Sequence, residues 1–200
     1  MLISYSRLIN TPVLSLQTGG PIGRIEEPVI DPDSLKIVAF RLSGPLISKS
    51  AEDLLDIKSI REYSDYGMVI DSAEELFADN DVVKISKIIS LNFKLIDLKV
   101  ETKKHSKLGK VSSFTLDPDS FIIQQIIVKR PTLKSFLDPE LTISRKEIVE
   151  ITDDKIIVKD EEKVLKKRAE KEDFIPNFVN PFRGQNLAQI ETDKEEKETN

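Results

Sequence analysis

IGRIEEPVIDPDSLKIVAFRL, residues Ile22 to Leu42, returns as LGKVSSFTLDPDSFIIQQIIV from Leu108 to Val128 at a constant offset of 86. Gly23 falls on Gly109, Arg24 on Lys110, Ile25 on Val111 and Ile30 on Leu116. Asp31-Pro32-Asp33-Ser34 becomes Asp117-Pro118-Asp119-Ser120 without a change. A fixed offset over the whole stretch marks an internal repeat.

Each stretch predicts a β-hairpin. Asp suits the first turn position because its carboxylate accepts from nearby backbone N–H groups, and the Pro that follows presets φ for the next position. The flanking runs of Ile, Val, Leu and Phe favour strands. Alternation puts Val38, Phe40 and Leu42 on one face, with Ile126 and Val128 repeating the last two. Gln124 stands in place of Val38, which puts that position near a rim. Gly23 and Gly109 predict a bend or bulge at a corner of the sheet.

The likeness continues on both sides. Ser64 to Ile70 matches Thr152 to Val158 at an offset of 88, so the two-residue change falls in the intervening loop. Upstream, Leu14 in VLSL aligns with Val100 in KVET. Each copy reads strand, hairpin, long loop, strand, turn, strand. Short strands in that number have to close on themselves to hide their edges.

This order of motifs, given twice, resembles the PRC-barrel, a domain of the photosynthetic reaction-centre H subunit and of the bacterial small-subunit ribosomal RNA maturation factor. The fold it implies is mainly β, with two tandem small barrels. Residues 1–79 form the first, 80–93 a linker helix and 94–160 the second. A charged helix at 161–173 and a Phe-rich segment with a disordered acidic tail at 174–200 follow. The family has no shared catalytic residues. The resemblance therefore implies a non-enzymatic adaptor that binds proteins and needs no cofactor. An accessory factor of ribosome assembly or rRNA maturation, binding a ribosomal protein or RNA, is the alternative, and a plain RNA-binding module another. The maturation factor's distinct N-terminal barrel and the H subunit's membrane helix have no counterpart, so neither relative's role carries over whole. Other small barrels of the SH3-like type share the hairpin pattern. The repeat boundaries require Val13 to Leu16 and Lys99 to Thr102 to pair within their own copies.

Composition narrows the chemistry. The chain has no Cys, which excludes disulfides, thiolate catalysis and Cys-based metal sites. Its net charge of −5 is uneven: seven basic against thirteen acidic residues in 1–79, twelve against ten in 95–159. A pI near 5.2 argues against a dedicated nucleic-acid binder but leaves room for a local basic patch. Arg7, Asn10 and Pro12 interrupt any apolar run at the start, and no window approaches a bilayer span, so a cytoplasmic protein is expected.

Between the repeats, Ala51 to Leu55 predicts a helical turn capped by Ser50. The matching stretch from Pro131 to Glu140 reads as a lid over a barrel end or as a docking surface. In the linker, Val82, Ile85 and Ile89 share a helical face with Ile88 beside them, and Asp79, Asn80 and Asp81 offer caps.

No phosphate-binding Gly loop, nucleophile elbow or His/carboxylate metal pattern is present. Asp31/Asp33 and Asp117/Asp119 read as turn chemistry, since a hard cation wants six or more oxygens. His105 reads as a solvated loop residue. Lys103, Lys104 and Lys107, with Lys110, Lys129 and Arg130, form either a basic face or a solvated rim. In FIPNFVNPFRG, Phe174, Phe178, Phe182 and Arg183 are of the residue types that anchor interfaces. They dock either on the chain's own barrels or on a partner.

Overall fold

The two Asp-Pro-Asp-Ser turns form where the sequence puts them. The Asp33 N–H donates to Asp31 Oδ1 at 3.1 Å and the Ser34 hydroxyl to Asp31 Oδ2 at 2.5 Å. In the second copy the Ser120 hydroxyl donates to Asp117 Oδ2 at 2.6 Å. Each turn is closed by a bulky residue in the left-handed region, Leu35 at φ 48° and Phe121 at φ 56°. Such backbone costs a non-glycine residue about 1–2 kcal/mol, and its return appears at the junction below.

The computed structural model describes residues 2–45, 47, 52–78, 82–130 and 139–160. The chain is mainly β. It runs through β1 (Ile3–Ser4), α1 (Tyr5–Leu8), β2 (Pro12–Ser15), β3 (Gly20–Asp31), β4 (Lys36–Ser43) and β5 (Glu52–Asp56). Next come β6 (Glu62–Ser64), β7 (Gly67–Ile70), β8 (Leu76–Ala78) and α2 (Val83–Ser90). The second copy supplies β9 (Lys99–Thr102), β10 (Lys107–Asp117), β11 (Ile122–Lys129), β12 (Glu140–Ser144), β13 (Ile148–Ile151) and β14 (Lys155–Val158).

The pairings repeat as the sequence does. β5-β4-β3-β2-β7-β6 is one curled set, with β2 and β7 parallel. β12-β11-β10-β9-β14-β13 is the other, with β9 and β14 parallel. VLSL and KVET thus pair within their own copies. Their alignment shifts by one: Val13 opposes Gly23 and Met68, as Val100 opposes Gly109 and Ile156. Val13 is therefore the counterpart of Val100, and both are fully buried.

Three bulges bend each hairpin at equivalent places. The ladder skips Ile22, Glu26 and Val38 in the first copy and Leu108, Ser112 and Gln124 in the second. Each extra residue bends the strand and increases its twist, which curls the sheet over its core. The bulge also overturns the simple alternation expected for β4. Val38 is only half-buried, while Ile37, Phe40 and Leu42 are buried. The extra residue switches the phase between Ile37 and Phe40, as Gln124 does between Ile123 and Ile126.

Among the described residues no ladder joins β5 to β6 or β12 to β13, so hydrogen bonding closes neither set. A turn of 3-10 helix crosses each gap, Ile57–Ser59 and Arg145–Glu147. The second is held by a capping box between Ser144 and Glu147. The expected helical turn over Ala51 to Leu55 is instead strand from Glu52 onward. Leu54 and Leu55 pair with Arg41 and Phe40 on one side and with Phe77 and Leu76 on the other. Both leucines are fully buried, and that burial outweighs the local helical preference.

Helix α2 lies inside the linker stretch with Ile85 buried. Asp79, Asn80 and Asp81 lie outside the described residues, as do the Pro131 to Asp138 loop, the charged stretch from 161 and the tail. Leu95 and Leu98 then re-enter the core.

Both copies fall within one compact unit, Met1–Glu161, and contribute to one continuous apolar core. β1 does not stay with the first copy. Ile3 and Ser4 pair with Leu116 and Thr115 of β10. Tyr5 packs against Phe114 with ring centroids 4.9 Å apart and the planes tilted by 41°.

The junction of the copies and its two grooves

The tips of the two hairpins meet. Lys36 and Ile122, which are equivalent at the offset of 86, lie directly opposite in the bridge between β4 and β11. On either side the Ile37 N–H donates to the Phe121 carbonyl at 3.0 Å, and the Ile123 N–H to the Leu35 carbonyl at 2.9 Å. Each bond is the counterpart of the other. The contact is therefore isologous within one chain, with the quasi-two-fold axis at the Lys36–Ile122 bridge. The left-handed turn of Leu35 and Phe121 aims their carbonyls at the other copy. Both side chains are buried, and the Phe121 ring meets Phe40 edge-on at 5.8 Å.

Two grooves flank this axis and are equivalent. In one, about 360 Å³, Ile60, Arg61 and Tyr63 of the first copy face Pro118, Asp119 and Phe121 of the second. In the other, about 250 Å³, Ile148, Val149 and Ile151 face Pro32, Asp33 and Leu35. The larger groove falls within the range of ligand sites. It carries two aromatic residues, Tyr63 and Phe121, where the other has Ile151 and Leu35, and each groove is also lined by one arginine, Arg61 or Arg145. Arg61 is oriented by Asp71, and that hydrogen bond raises its pKa. Aromatic residues and Arg are the side chains that most often anchor protein contacts. Sequence reading missed both grooves. Their walls come from segments far apart in the chain, and only the meeting of the tips brings them together.

A third hollow lies along the linker, between Tyr5, Phe93 and Phe114. Burial, and then Glu27, push the Tyr5 hydroxyl pKa up. The phenol holds its proton more firmly, which is the reverse of an activated base. Lys94 pairs with Glu27 beside it at 3.4 Å.

The basic face takes a different form from the one expected. Lys103 and Lys104 lie in the β9–β10 turn, and Lys104 is tied to Asp160 at 3.6 Å. Lys107 opposes Glu101. One step up the sheet, Lys99 opposes Lys110, which opposes Lys129. Lys155 lies beside Lys99 on the parallel strand and is paired to Glu101 at 3.5 Å. The register thus joins Lys110 and Lys129 to Lys99 and Lys155, which sequence reading left out. His105 is exposed at φ 60° in the same turn. Phe174, Phe178, Phe182 and Arg183 lie outside the described residues. No described helix is long and apolar enough to cross a membrane.

No family model matches the chain, and no curated protein matches it.

Proposed function

We propose that the chain is a non-catalytic adaptor built from two tandem PRC-barrel-like halves, which work in the cytoplasm and hold protein partners. The observation that carries this reading is the reciprocal pair of hydrogen bonds at the hairpin tips. It fixes two equivalent halves in one orientation and leaves two related grooves with different linings. A rigid body with two unlike docking places can hold two partners, or two parts of one, at a set distance. The repeated strand pairings support the tandem PRC-barrel reading, and the open ladders are the feature that departs from it.

The test is capture of partners by the tagged full chain after nuclease treatment, with Arg61→Ala/Tyr63→Ala in one groove and Ile151→Ala in the other. The adaptor reading expects a protein that survives nuclease and is lost with one groove pair only. Retention by both variants, or loss of every partner to nuclease, would overturn it. A chain ending before Phe174 reports separately on whether Phe174, Phe178, Phe182 and Arg183 serve as a tethered hook.

The second reading, an accessory ribosome-assembly factor, draws on the lysine row of the second copy. It expects co-sedimentation with ribosomal subunits at low salt.

A further inference from the structure

Lys99, Lys110 and Lys129 stand side by side on β9, β10 and β11. All three are exposed, and each is next in sequence to a fully buried valine, Val100, Val111 and Val128. The three ammonium groups therefore share the outer face of the sheet. Neighbouring strands are about 4.8 Å apart, so the row spans about 10 Å at the level of the backbone. Among the described residues none of the three has an ion pair.

Like charges directly opposite on a sheet oppose folding by a fraction of a kcal/mol each. The fold does not need them. The equivalent line in the first copy runs Pro12, Arg24, Ser43, with Gly67 at the place of Lys155. One cation there answers to four in the second copy. The nearby carboxylates do not cancel the row: Glu101 is paired with Lys155, Asp160 with Lys104, and Glu140 opposes only the end of the row at Lys129. Beside the row a hollow of about 300 Å³ is lined by Gly109, Lys110, Ser112, Lys129 and Arg130, with Asp97 as its one carboxylate.

We infer that this row binds the phosphodiester backbone of RNA by charge alone. Lysine binds phosphate as a compact point charge, without the planar fork by which arginine fixes the orientation of a carboxylate or phosphate, so a row of lysines suits a string of phosphates held in no set orientation. No aromatic side chain lines the hollow, so the contacts are to phosphates rather than to stacked bases, and phosphate contacts carry no sequence information. Single strands accessible in a cell are mainly RNA, and a line of charges suits a flexible backbone. The inference is independent of the adaptor reading, because it concerns another face and needs no protein partner.

The test uses the purified full chain and a fluorescein-labelled oligouridine 20-mer, followed by anisotropy between 50 and 200 mM salt. Three neutralised phosphates predict a slope of log K against log salt near −2, at about 0.7 per contact. Lys99→Gln/Lys110→Gln/Lys129→Gln should flatten that slope and weaken binding at least tenfold at 50 mM salt. The triple Arg variant should restore it. Lys103→Gln/Lys104→Gln/Lys107→Gln removes the same charge from the turn and should cost less than half as much on a logarithmic scale. A melting curve shows that each variant is folded. Absence of binding by the natural chain, equal losses in the two Gln triples, or a slope unchanged by the first would overturn the assignment. Displacement of the RNA by an equally charged polyglutamate peptide at equal concentration would give the row to acidic proteins instead. A matching oligodeoxythymidine reports whether the sugar matters, and a preference for DNA over RNA of tenfold or more would also overturn it.

Discussion

Gly23 and Gly109 hold the same place in the two hairpins. A Cβ on Gly109 would lie 2.0 Å from the Lys129 carbonyl oxygen, and the residue sits at φ 147°. On Gly23 the nearest atom would be a side-chain carbon of Ile47 at 3.0 Å. The outer faces diverge in the same way, with Pro12, Arg24 and Ser43 set against Lys99, Lys110 and Lys129. What the copies keep is the turn, the three bulges and the buried phase. The difference teaches that the repeat constrains backbone geometry and core, and leaves each copy its own surface.

The sharpest way to break this comparison is at the two glycines. Gly109→Ala should destabilise by about 3 kcal/mol or more, since a backbone carbonyl cannot move aside. Gly23→Ala should cost less, about 1 kcal/mol, because the Ile47 side chain can shift and the Ser43 carbonyl oxygen, 3.1 Å from the added Cβ, has only a few tenths of an ångström to give. Equal losses in urea unfolding would show that the second hairpin is no tighter than the first.

At the junction, Phe121→Ala should cost about 3–4 kcal/mol and Leu35→Ala about 2–3 kcal/mol, as buried residues lose contacts and leave a cavity. Both copies should still unfold in one transition, because they share a core and the tip contacts. Two separate transitions in the natural chain would break the picture of a single unit.

A smaller effect follows from Asp117. Its pKa is lowered, first by the Ser120 hydroxyl bonded to it and also by the backbone N–H groups of Ser120 and Asp119. A carboxylate with a lowered folded pKa stabilises the fold above its ordinary value of 3.8. That contribution disappears as pH falls through the lowered value. The advantage of the natural chain over Ser120→Ala in urea unfolding should therefore hold at pH 7 and narrow as the solution is taken toward pH 2. An advantage that widens on acidification would reverse the sign.

The smallest effect is Lys110→Gln, which relieves two like-charge contacts. It should raise stability by a few tenths of a kcal/mol at low salt, an increment that added salt removes.

The hairpins, their turns and the bulges beside Gly23 and Gly109 were legible because they are local. Asp-Pro next to a polar pair makes a turn whatever surrounds it. The phase of Val38 was not legible, since alternation cannot register an extra residue whose partner strand is unknown. Lys99 escaped for a related reason. KVET was aligned one residue out, and the row exists only once β9 is set against β10. Ala51 to Leu55 read as helix because nothing nearby in sequence announces β8 as its partner. The Phe-rich segment drew attention by composition alone, and its residues lie outside the described part of the chain. Both grooves depend on bringing together positions 55 or more residues apart, as Tyr63 and Pro118 are, or 110 or more, as Leu35 and Arg145 are.

The short strand β1 also sets a schedule. Ile3 and Ser4 are made well before the residues they pair with, Leu116 and Thr115 of the second copy. At about 5–20 residues per second of synthesis, Ile3 waits about 6–23 seconds for its neighbour to be made. Throughout that interval the first hairpin also lacks the tip it will face. β1 thus acts as a late clasp, fastened only after the second copy has been translated.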